Sequence, residues 1–171
     1  MMLSKRALAL LNTPQYGKIL DDQPAQAYQW HFTNDKKLTL SFESSYHQMR
    51  IPLMDAISAL LNSGDLKNLF ILNFREVENF LRDQNDRPAF EGAEIAEIEK
   101  IFDLIYVDLT KEFFKYHHTC LPKTATFTEK NHFWLQSFAS LQSVEFVLFE
   151  QEWLYFYDKR SDSIVSFNIS E

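Results

Sequence analysis

The alternation of apolar and polar positions divides the chain into helical and extended segments with short breaks between them. Residues 3 to 12 place Leu3, Ala7, Leu10 and Leu11 at helical spacing, and Asn12, Thr13 and Pro14 supply a stop. The segment through Pro24 is polar, carries Gly17 and two flanking prolines, and reads as a connecting loop. Period two follows. Tyr28, Trp30 and Phe32 alternate with Gln29 and His31, and after the turn "TNDKK" Leu38, Leu40 and Phe42 alternate with Thr39 and Ser41. The stretch "SYHQMRI" carries the alternation on, which predicts a third strand and a meander.

Pro52 suits the first turn of a helix whose stripe is Leu53, Ile57, Leu60 and Leu61 and whose end is Gly64. The run "DLKNLFIL" is compatible with a buried strand or with helix, and leans helical. Asn73 with Glu76 three positions on is close to a capping box, so a helix should start at Phe74 with Phe74, Val77, Phe80 and Leu81 on its apolar face. Glu78 and Arg82 form an i,i+4 pair on that helix. After Gly92, the series Ile95, Ile98, Phe102, Ile105, Leu109, Phe113 and Tyr116 predicts one long helix with acids early and bases late, as the helix dipole favours. A shorter helix is expected over residues 131 to 141. The aromatic and β-branched tail, interrupted at "EQE" and "KRSDS", predicts three closing strands.

These elements predict an α+β fold: an antiparallel three-stranded meander packed on helices, with a second C-terminal antiparallel meander. The length of 171 residues fits one domain, with a weak seam near residues 119 to 123. Composition adds limits. A net charge of -7 with scattered acids disfavours phosphate backbones and anionic lipid surfaces as partners, so neither nucleic acid nor membrane is expected. No apolar run approaches the roughly twenty residues that span a bilayer. "ALALLN" after Lys5 and Arg6 is too short for a signal-peptide core. A single cysteine, Cys120, excludes an internal disulfide and fits a reducing, cytoplasmic setting.

Candidate chemistry is sparse. His117 stands three residues before Cys120, with His118 beside it, a spacing used in half of a zinc site or by a thiolate and its activating base. The plain alternative is a helix end followed by a half-buried thiol, and no second ligand pair at zinc spacing occurs. Glu129 and His132 make one Glu-x-x-His pair where a carboxylate-bridged metal site needs two. His31 and His47 fall on strands expected to be neighbours. No phosphate loop, dinucleotide fingerprint, nucleophile elbow or paired-histidine zinc helix is written in the chain, and no cofactor is implied. The surplus lies in the tail, where the rings need cover from the chain's own helices or, with Phe149, Trp153, Tyr155 and Tyr157 as a candidate binding surface, from another protein or a second copy of the chain.

The order of a leading helix, a three-stranded meander and helices from Pro52 to His118 resembles the SufE/NifU-like fold of iron-sulfur assembly scaffolds and sulfur acceptors. Those families depend on cysteines beside the sheet and helices, and none precedes Cys120 here. The resemblance therefore implies a relative that kept a protein-binding surface without cluster ligation. Acidic chaperones of bacterial secretion systems look similar in size, charge and mixed element order. The leading expectation is a non-enzymatic adaptor or chaperone-like protein, and the alternative is a sulfur-handling protein or thiol enzyme using Cys120 with His117 or His118.

Overall fold

The computed structural model describes residues 1–35, 37–64, 68–69, 72–120, 144–150, 153–158 and 163–168, with the backbone alone at 111 and beyond 113. Its elements run β1 (Met2–Leu3), α1 (Lys5–Asn12), β2 (Gly17–Leu20), β3 (Tyr28–Asn34), β4 (Leu38–Ser45), α2 (Arg50–Asn62), α3 (Phe74–Leu81), β5 (Phe90–Glu91), α4 (Ile95–Cys120), β6 (Val144–Glu150), β7 (Trp153–Asp158) and β8 (Ser163–Asn168). The class is α+β, as the periodicity predicts. The chain divides into two units, Met1–Glu112 and Phe113–Glu171.

In the first unit, β3 and β4 form the expected antiparallel hairpin, with Trp30 opposite Phe42 and Phe32 opposite Leu40. The apolar positions share one face and Trp30, Leu40 and Phe42 are buried, while Gln29, Thr39 and Glu43 take the other. The third strand departs from expectation. It is β2, within the segment read as a loop, and it lies parallel to β4 in the order β2-β4-β3. Gly17 makes this possible. It sits opposite Phe42, and any side chain there would overlap the buried Phe42 ring.

Residues 46 to 51 form no strand; they are the approach to α2 and its first residues. Their alternation is real but short, and the helix wins because its residues from Arg50 through Ser58 are all buried. A helix enclosed on every side has no amphipathic stripe to advertise it. It packs against α1, α3, β2 and β4. Asp55, fully buried on α2, accepts from the Gln15 amide at 3.0 Å and the Tyr16 amide at 2.7 Å, and so holds the residues that lead into β2.

α3 begins as expected, with a reciprocal capping box between Asn73 and Glu76. Val77 and Leu81 are buried, Phe74 packs edge-on against Phe102, and Arg6 lies 4.0 Å over the Phe80 ring. α4 spans the predicted residues. Within the first unit it buries Ile98, Phe102, Ile105 and Leu109, and its Ile105 carbonyl accepts from Trp30 Nε1 at 2.9 Å. Tyr106 donates to the Leu69 carbonyl. Residues 68–69 and 72 apart, the ambiguous run 65–72 lies outside the described residues, as does the helix expected over 131 to 141.

In the second unit, β6, β7 and β8 form the predicted antiparallel meander with β7 in the centre. A register shift between Val144 and Val147 marks an irregularity in β6.

Candidate functional site

Register sorts the aromatic tail. Leu148 is opposite Tyr155 and Glu150 opposite Trp153, while Tyr157 pairs with Ile164 and Tyr155 with Ser166. Directly paired residues share a face. One face of the sheet therefore holds Trp153, Tyr155 and Tyr157 among Leu148, Glu150, Ile164, Ser166 and Asn168. The opposite face holds Val147, Phe149, Leu154, Phe156, Val165 and Phe167. Phe149 is thus parted from the other three candidate binding residues. The second face is apolar except at one end, where Asp158 pairs with Ser163, whereas the first mixes large amphipathic rings with polar neighbours, as interfaces do.

α4 continues through Cys120, which makes His117 and Cys120 i,i+3 neighbours on one side of the helix. His118, two positions away, belongs to a different side. The side chains of all three lie outside the described residues, as do Glu129 and His132. His31 and His47 are not brought together as strand neighbours. His31 is on β3 with Nε2 3.4 Å from Glu43 Oε2, and His47 lies in the turn before α2. There its Nδ1 accepts from the Arg50 amide at 3.1 Å and the Met49 amide at 3.3 Å.

A polar cluster that periodicity does not reveal surrounds Arg50, the first residue of α2. Arg50 is 5% exposed. Its Nε donates to Ser44 Oγ at 3.0 Å, and its Nη2 donates to Ser45 Oγ at 2.9 Å and to the carbonyls of Ser45 and Ala25 at 3.2 and 3.3 Å. The guanidinium also lies 5.0 Å over the Tyr28 ring, whose hydroxyl donates to the Asp108 carboxylate. Burial lowers the Arg50 pKa, and burial together with Asp108 raises that of the Tyr28 phenol. The cluster ties the end of β4, the start of β3 and the start of α2. Its donors and acceptors answer one another, so it is a structural joint rather than a reactive centre. The only signal in the sequence was an arginine directly before "IPLMDAI", a stretch with little other polarity.

A groove of about 510 Å³ is lined by Leu3, Ser4, Lys5, Asp83, Arg87 and Glu91, among others. Asp83 already occupies the N-terminus of α1 there, accepting from the Lys5 amide at 2.6 Å and the Arg6 amide at 3.0 Å. Those backbone bonds, the Lys5 amide first, lower its pKa. The groove therefore offers an exogenous anion no open helix terminus. Among the described residues there is no group of three His, Cys, Asp or Glu side chains able to hold a metal, and no helix long and apolar enough to cross a membrane. No family model, curated protein or solved structure matches the chain.

Proposed function

We propose that the chain is a binding protein without catalytic chemistry of its own, an adaptor or chaperone-like module that docks a polypeptide on the Trp153, Tyr155 and Tyr157 face of its C-terminal sheet. The occupant is another protein or a second copy of the chain. One observation carries the reading: a three-stranded sheet whose register gives it one largely apolar face and a second on which Trp153, Tyr155 and Tyr157 stand together among polar residues. An antiparallel sheet can leave one face to water, and rings with a polar edge suit a face that is wet when the partner is absent and covered when it is present. Among the described residues, the buried charged groups of the first unit, Arg50, Asp55 and Glu78, each serve a hydrogen bond that holds the fold. Sedimentation velocity and apolar dye binding test the proposal. The full chain should either associate with rising concentration or bind the dye as a monomer, and Tyr155→Ser should diminish whichever occurs. A monodisperse monomer that binds no dye would refute it.

A second reading rests on the helical continuity of α4 through Cys120. It gives His117 the i,i+3 place from which an imidazole activates a thiolate, in a sulfur-handling protein or thiol enzyme. Iodoacetamide alkylation against pH tests it. The reading requires a Cys120 midpoint well below the ordinary thiol value of about 8.5, and His117→Ala should return it there.

A further inference from the structure

α2 starts in an electrostatically adverse way. No acidic residue stands in its first turn, its N-terminal flanking residue Met49 makes no side-chain cap, and its first residue is the buried cation Arg50. Helix N-termini carry partial positive charge and orphan amides. The acceptor that meets two of those amides is His47 Nδ1. A ring nitrogen accepts only when it carries no proton, so the geometry requires neutral His47 with its proton on Nε2.

We propose that His47 is an acid-released clasp: proton uptake at Nδ1 withdraws the acceptor from the first turn of α2, places a second cation beside Arg50, and loosens the joint between β3, β4 and α2. The charged groups around it set the balance. Arg50 on α2 opposes the imidazolium, while Glu97 on α4 and a hydrogen bond to the His47 backbone favour it. Tyr28 on β3 faces Arg50 and donates its hydroxyl to Asp108 of α4. Burial acts in the same direction as Arg50, and together they lower the His47 pKa from its usual value. A group whose folded pKa is depressed adds stability that is complete above its unfolded pKa, about 6.5, and that is lost as pH falls through the folded value. The clasp is closed at neutral pH and opens on acidification.

The consequence is local. Release frees the turn at residues 46 to 49 and the Arg50 bonds to Ser44 and Ser45.

Nitrogen NMR of the full chain and amide exchange at Met49 and Arg50, corrected for intrinsic pH dependence, test the clasp. At pH 7 the imidazole should be the Nε2-H tautomer. Between pH 7 and pH 5 exchange at the two amides should accelerate about fivefold, the change that corresponds to loss of one cap. His47→Asn, which accepts without titrating, should keep its protection over the same range. A proton on Nδ1 at pH 7 would overturn the proposal, as would equal acceleration in wild type and His47→Asn. The tautomer assignment needs only wild-type protein and decides the matter even where the variant fails to fold.

Discussion

Glu78 Oε1 accepts the backbone amide of Ala89 at 2.8 Å, eleven residues along the chain, while Oε2 of the same carboxylate meets Arg82 Nε at 2.5 Å. The side chain is only 8% exposed. A residue that pairs along a helix surface thereby also anchors the segment that returns to β5, where the Ala89 carbonyl accepts from Ser4 at 2.8 Å. Glu78→Ala leaves the buried Ala89 amide unanswered and should cost about 2–3 kcal/mol in urea unfolding, whereas Glu78→Gln keeps an acceptor and should cost about 1 kcal/mol. Equal losses would show that charge, not the Ala89 bond, is the operative contact.

Gly17 is required by close approach. Its partner position across β2 and β4 is Phe42, whose ring fills the space a methyl group would take and is itself 2% exposed. Gly17→Ala should therefore destabilise by about 1–3 kcal/mol, as overpacking does. Phe42→Leu in the same chain should recover part of that loss, which a double-mutant cycle measures.

Asp55 gives a pH dependence of opposite sense to His47. Burial raises its pKa, and the amides of Gln15 and Tyr16 lower it by less. A carboxyl whose folded value is raised contributes stability that is complete below the unfolded value of about 4 and is lost as pH climbs through the folded value. Asp55→Asn removes that titration and leaves one amide without its oxygen. The gap in stability between wild type and variant should be widest near pH 4, about 1–2 kcal/mol, and should narrow toward pH 7. Urea midpoints over that range check it, and a gap that widens with pH would contradict it.

Arg50 serves through its planar fork. Arg50→Lys keeps the charge but cannot reach Ser44, Ser45 and Ala25 together, so it should cost about 2 kcal/mol. A neutral outcome in thermal or urea unfolding would mean that solvent replaces those bonds.

What the sequence made legible is what local chemistry determines. The capping box at Asn73 and Glu76, the Glu78 and Arg82 pair, the hairpin of β3 and β4, and the reach of α4 all follow from residues a few positions apart. β2 was hidden because a four-residue parallel strand depends on a partner more than twenty residues away, and on a glycine whose value lies in the Phe42 ring beside it. Residues 46 to 51 alternate over too few positions to distinguish a strand from a turn that leads into a buried helix. His47 read as a strand histidine for that reason, and its role at α2 required the fold. The aromatic content of the tail was plain, but only the pairing of Phe149 with Leu154 separates it from Trp153, Tyr155 and Tyr157.

The docking proposal is tested most directly by a photo-crosslinking amino acid placed at Tyr155, and for comparison at Thr39 on the polar face of the first sheet, with the full chain expressed in its host. The account predicts a discrete adduct from position 155, either with a second copy or with one other protein, and none from position 39. Adducts of the same pattern from both positions, or none from position 155, would contradict it.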